Sequence, residues 1–124
     1  MTTSFEDLEV WKKACRLSVD IYNYLKAVHD YALKDQICRS AVSIASNIAE
    51  GQERGSNREF IRFLRIAQGS AAELRTQLYI SREIDLISKV DSNDFINRVK
   101  SISQMIQALI RSLTVNGKQK TVNE

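Results

Sequence analysis

Leu33-Lys34-Asp35-Gln36-Ile37-Cys38-Arg39-Ser40-Ala41-Val42-Ser43-Ile44-Ala45-Ser46-Asn47-Ile48-Ala49-Glu50-Gly51 decides the fold. Leu33, Ile37, Ala41, Ile44 and Ile48 recur at steps of three and four, the period of one helix face. Cys38, Val42, Ala45 and Ala49 form a second, smaller stripe beside the first. Together the two cover about half the circumference, and a helix that apolar is buried on two sides. One bundle core cannot cover both stripes, so contact with further chains is expected. Asp30 precedes the pattern as an N-cap, and the helix is predicted over residues 31–50. Gly51 is expected to supply a left-handed cap, with Asn47 and Glu50 hydrogen-bonding across that end.

Three more apolar periodicities flank this segment. The first follows Ser4, with Asp7 three residues on as a capping box, and spans 5–27 with Trp11, Ala14, Ile21, Tyr22 and Leu25 on one side. The third follows Ser56-Asn57-Arg58-Glu59, a serine-to-glutamate box. It spans 57–85 with Phe60, Phe63, Leu64, Ala67, Ala71, Leu74 and Leu78 on one face. Ile66, Ile80 and Ile84 lie off that face, and Gly69-Ser70-Ala71-Ala72 is a small-residue patch suited to close helix approach. The fourth spans 92–116 through Phe95, Val99, Ile102, Ile106, Leu109 and Leu113, and is predicted to stop at Asn116-Gly117. The predicted class is all-α: an antiparallel up-down-up-down four-helix bundle over residues 1–117, followed by a polar, disordered tail over 118–124.

Composition agrees with a helical reading. The chain has 124 residues, no proline and only 4 glycines, too few turn formers for a β-protein of this size. The start of the sequence carries no secretory signal pattern, and no apolar run approaches the roughly 18 residues of a membrane span. Cys15 and Cys38 sit inside helical patterns without CxxC spacing and read as reduced, buried small hydrophobes. These features predict a cytoplasmic protein.

The residues of common active sites are missing. The single histidine, His29, falls in a predicted turn, which excludes both the Glu-x-x-His pairs of di-metal bundles and a Ser-His-acid triad. Gly51 and Gly55 lack the Lys-Ser/Thr of a phosphate loop. The expectation is no catalytic residue, no metal and no cofactor.

Charge offers the one functional lead. Arg58, Arg62 and Arg65 fall on the face of the third helix opposite its apolar stripe and Arg54 lies just before it, with Glu53 and Glu59 nearby. A solvated helix face is the plain reading. Phosphate contact is the sharper one, because guanidinium groups present planar paired donors and the helix N-terminus adds positive potential. Arg98, Lys100, Arg111, Lys118 and Lys120 make a second, more diffuse basic region. The formal charge of +3 is modest for one chain and multiplies with copy number.

The stretch Gln36 to Gly51 resembles the signature of the four-helix bundle proteins encoded within 23S ribosomal RNA intervening sequences. Phe5-Glu6-Asp7-Leu8-Glu9-Val10-Trp11-Lys12-Lys13-Ala14 resembles that family's opening, and Phe60 to Leu74 its third helix. Ala45 departs from the family, which often has proline there. The turn Val28-His29-Asp30-Tyr31-Ala32-Leu33 also lacks the usual proline and glutamate. The resemblance implies a homopentameric barrel and kinship with the accessory variability protein of diversity-generating retroelements, a relative associated with a reverse transcriptase and nucleic acid. It does not imply a ribosomal subunit. The expected partners are thus further copies of the chain, RNA or DNA, and a reverse-transcriptase-like protein; no membrane is expected. Cys38, Val42, Ala45, Ala49, Ile66 and Ile80 are the expected oligomer contacts. Asn47, Glu50 and Gly51 are read as a structural motif.

Overall fold

The computed structural model describes the backbone of residues 4–123 and the side chains of residues 4–114. After a 3-10 turn at Phe5–Asp7 come four helices: α1 (Glu9–Leu25), α2 (Tyr31–Glu53), α3 (Asn57–Glu83) and α4 (Lys89–Asn123). No strand occurs among the described residues.

Local chemistry accounts for most helix ends. Asp30 caps α2 by accepting from the Leu33 amide at 3.2 Å, and Ser56 caps α3 by accepting from the Glu59 amide at 3.2 Å. The Ser88 hydroxyl takes the Asp91 amide at 3.1 Å and donates to the Asp91 carboxylate at 2.9 Å, so α4 begins at Lys89, earlier than the expected 92. After α3, Asp85 adopts φ 59°, and the Leu86 amide reaches back to the Ser81 carbonyl at 2.9 Å. That is a left-handed helix stop made without glycine.

Three expected ends need correction. Ser4 accepts from the Glu6 amide at 3.2 Å, so it caps the 3-10 turn and not α1, which starts after an extended Leu8. Gly51 does not end α2. It lies inside the helix, and the left-handed residue is Gly55, at φ 84°. Asn116-Gly117 does not end α4 either, since the helix continues to Asn123. One glycine inside a helix costs about 1 kcal/mol, and without proline nothing forces a stop. The expected tail over 118–124 is therefore helical as far as Asn123, and Glu124 lies outside the described residues.

The helices enclose one core in cyclic order. α1 packs on α2, α2 on α3, α3 on α4 and α4 on α1, while the diagonal pairs make no backbone-distance contact among the described residues. Leu17, Ile21 and Leu25 of α1 meet Ile37, Ile44 and Ile48 of α2, Leu64, Leu74 and Leu78 of α3, and Ile102 and Ile106 of α4, all fully buried. Numbering runs in opposite directions across the α2–α3 and α3–α4 seams. Ser43 and Gly51 of α2 meet Ser70 and then Phe60 and Phe63 of α3. Gln68 and Arg82 of α3 meet Gln107 and then Asn93 of α4.

Candidate nucleic-acid interface

The α2–α3 turn gathers the four arginines, and their surroundings divide them into two pairs. Arg54 is the C-terminal neighbour of α2 and bonds Glu50 one turn back at 3.1 Å. Arg62 holds Glu59 through two parallel bonds, at 3.0 and 3.2 Å. Both guanidinium groups also lie on the ring of Phe63, 4.9 and 4.6 Å from its centroid, a cation–π arrangement that holds them in place. The bond from Arg62, then the charges of Arg62, Arg54 and Arg58, hold the Glu59 carboxyl below its ordinary range. Arg58 and Arg65 are exposed and have no hydrogen bond or ion pair among the described residues. The expected patch is thus half neutralised, and its free cations are Arg58 and Arg65.

Asn47 and Gly51 play parts other than those expected, while Glu50 bonds Arg54 at the end of α2. Asn47 donates to the Ser43 carbonyl at 2.8 Å and the Ser43 hydroxyl at 3.0 Å. Ser43 pairs in turn with Ser70 of α3 at 2.8 Å. Asn47 therefore joins a polar chain on the α2–α3 seam and does not bond Glu50. Gly51 is glycine because α3 crosses it. A Cβ there would stand 2.6 Å from Phe63 Cβ and 3.3 Å from the Phe60 carbonyl. The small-residue patch of α3 serves the same seam through Ser70 and Ala71, which are buried, whereas nothing lies within 4 Å of a Cβ at Gly69.

The expected oligomer contacts differ in how much surface they leave. Val42 is 54 % exposed, Ile66 43 % and Ile80 47 %. Cys38 and Ala49 are half-buried, and Ala45 is already buried in the chain's own core. Val42, Ala45 and Ala49 also line a groove between α1 and α2, with Phe5, Trp11, Cys15, Ser18, Val19 and Ser46. Phe5 stands edge-on to Trp11 at 5.2 Å, closing one end. The Ser18 hydroxyl is buried there without a partner. Cys15 and Cys38 are free thiols, and burial raises both above the ordinary thiol range, so both stay protonated at neutral pH.

The 23S rRNA-intervening sequence protein model matches residues 6–108, which include all four arginines, the Asn47-Glu50-Gly51 segment and every lining residue of the α1–α2 groove but Phe5. This chain belongs to the 23S rRNA-intervening sequence protein family. Among solved structures it is similar to a protein of unknown function from the S23 ribosomal protein family of Bacteroides thetaiotaomicron VPI-5482. The two share 27 % identity at a TM-score of 0.76, over 82 % of this chain and 97 % of that one. A search of curated proteins finds no match. The family description names no catalytic activity. Among the described residues no helix is long and apolar enough to cross a membrane, and no three His, Cys, Asp or Glu side chains are grouped to hold a metal.

Sequence reasoning missed one basic site. Lys13 and Arg16 of α1 line a cleft with Arg98, Ser101 and Ile102 of α4. Arg16 reaches Asp20 at 3.3 Å, and Arg98 reaches the same carboxylate at 2.9 Å. The Arg16-to-Asp20 spacing was a signal in the sequence. The approach of Arg98, from 78 residues away, was not.

Proposed function

We propose that this chain is a non-catalytic, antiparallel four-helix bundle that assembles into a homopentamer and binds RNA through basic surfaces. The observation that carries the reading is the α2–α3 turn. There Arg58 and Arg65 stand free beside Arg54 and Arg62, which Phe63 holds in place. Such a surface offers paired donors to phosphate oxygens and has nothing with which to read bases. The opposite numbering across the α2–α3 and α3–α4 seams supports the antiparallel order. The exposed Val42, Ile66 and Ile80 and the open α1–α2 groove support assembly, since apolar surface of this kind marks contact sites. Five copies at +3 each carry +15, and repeated weak sites on one particle engage a long polyanion with avidity. A cytoplasmic location fits this role.

A gel-shift titration with structured RNA tests it, wild type against Arg58→Glu/Arg62→Glu/Arg65→Glu, with the oligomeric state of each checked by sedimentation. Wild-type binding is expected to tolerate changes of sequence and to fall steeply between about 50 and 200 mM salt. The triple variant is expected to remain oligomeric and to lose binding. Equal binding by both proteins would reduce the arginine turn to a solvated face. If neither binds RNA at low salt, the better reading is an adapter, with the oligomer docking a reverse-transcriptase-like protein.

A further inference from the structure

The α1–α4 cleft has an electrostatic character that the arginine turn lacks. At the turn, Glu50, Glu53 and Glu59 lie among four arginines. The cleft is lined by Lys13, Arg16 and Arg98 with no carboxylate in its lining, and Arg16 and Arg98 share the neighbouring Asp20 carboxylate. That carboxylate bridges the two guanidinium groups and so holds them together on adjacent helices. Arg98 is fixed further by lying over the Phe95 ring, 6.0 Å from its centroid, and Phe95 is itself held edge-on against Tyr24 at 5.8 Å. Each guanidinium has five N–H donors, and the bonds to Asp20 leave most of them available. Ser101 adds a hydroxyl, and Ile102, 2 % exposed, supplies an apolar wall that strengthens nearby charge interactions. The cleft volume is about 160 Å³, well below the roughly 300–1,000 Å³ of pockets for larger molecules. It suits one small anionic group.

We propose that this cleft is a phosphate site, in which Arg16 and Arg98, paired through Asp20, take the phosphate oxygens and Lys13 and Ser101 complete the contacts. Two sources can supply the group: the backbone of a bound RNA, or a small free phosphate. The RNA source rests on the function proposed above; the site itself does not.

Two measurements on the full-length protein separate these possibilities. The first follows thermal unfolding as inorganic phosphate replaces chloride at constant ionic strength. A bound anion raises the melting temperature by mass action. Wild type is expected to gain stability with phosphate, and Arg16→Gln/Arg98→Gln to lose that gain. Lys13→Gln removes a side chain that makes no ion pair among the described residues, so it tests the cleft without disturbing Asp20; it is expected to lose part of the gain. The second is the RNA gel shift, in which the double variant is expected to bind about tenfold more weakly, with a shallower salt dependence. If the double variant and Lys13→Gln both keep the full phosphate gain and full RNA affinity, the site is overturned, even where the α3 triple variant upholds RNA binding. If no protein binds RNA and only wild type responds fully to phosphate, RNA binding falls and the cleft stands as a site for a small phosphate.

Discussion

The two sides of α2 are built on opposite terms. Toward α3 the helix presents small and polar residues, and from Ser43 to Gly51 the seam is closed. Ser43 bonds Ser70, Asn47 bonds Ser43, and Gly51 lets Phe60 and Phe63 come to backbone distance. Toward α1 it presents Val42, Ala45 and Ala49, and there a groove stays open with Val42 more than half exposed. Hydrophobicity alone would assign these roles the other way round. The closed seam owes its fit to side chains small enough for two backbones to meet. The open one keeps apolar surface that the single chain does not use. The first side builds the fold, and the second is the side on which the proposed assembly depends.

Val42→Asp tests that division with the largest effect. At an exposed position the substitution leaves the monomer's core intact, so helical content should be unchanged. In an interface it places an unpaired charge out of water, which costs several kcal/mol. Sedimentation equilibrium should then show a folded 14.1 kDa monomer. An unfolded variant would mean that the groove is part of the chain's own core. A variant as oligomeric as wild type would move the contacts elsewhere.

Gly51→Ala tests the closed seam. Alanine gains about 1 kcal/mol of helix propensity. Its Cβ would also meet Phe63 Cβ at 2.6 Å, an atom fixed to the α3 backbone, so the helices must part. Overpacking of this kind costs about 1–3 kcal/mol. The expected net loss is up to about 2 kcal/mol, read as a lower urea midpoint with an unchanged slope. A gain in stability would show that the seam has slack.

Much of this was legible in the sequence, and the exceptions share a cause. The four stripes, the Asp30 cap and the Ser56 cap follow from local spacing and appear in the structure, except that Tyr22, expected in the first stripe, is 55 % exposed. Gly51 in a polar run reads as a stop because local sequence holds no sign of Phe60 and Phe63 crossing above it. Ser88-x-x-Asp91 has the spacing of a cap, whereas the helix start expected from the sequence is after Asp91 or Ser92. At the arginine turn, the Glu50–Arg54 and Glu59–Arg62 pairings were available from i,i+4 and i,i+3 spacing. From the sequence, Glu53 and Glu59 are set against the cluster but Glu50, which pairs with Arg54, is not. Asp20 and Arg98 come together only through the fold. Local chemistry, the arginine turn included, was readable, whereas the contact between distant segments that builds the α1–α4 cleft was not.

Gln77 offers a smaller test on the α3 side of α2, beyond the closed stretch. It is 8 % exposed, and its Oε1 is buried without a hydrogen-bond partner. It lines a polar cleft between α2 and α3 with Ser40, Ser43 and Glu73. An unmet buried acceptor costs about 1–3 kcal/mol, and an apolar side chain of similar size removes that cost. Gln77→Leu is expected to stabilise the protein by about 1 kcal/mol, measured as a higher urea midpoint. A loss of similar size would mean that the amide has a partner in the assembly and that the seam depends on it.

The smallest expected effect is at the point where α2 meets α3, at Glu59. Its bond with Arg62 lowers the carboxyl's pKa and occupies donors that the proposed RNA contact needs. Stability from this pair is present above the carboxylate's ordinary pKa and is lost as pH falls through the lowered folded value. Glu59→Gln breaks the pairing at neutral pH without acid. Glutamine also serves at this position of a capping box, and the Ser56 bond is to the backbone amide, so α3 should keep its start. The freed Arg62 would still lie on Phe63, ready for phosphate. One added phosphate contact changes the loss of affinity between 50 and 200 mM salt by about threefold. Glu59→Gln should therefore bind structured RNA more tightly than wild type at 50 mM salt, with the advantage shrinking by about that factor at 200 mM. A variant that binds no better at low salt would show that Arg62 takes no part in the contact, and would leave Arg58 and Arg65 to carry the α3 face.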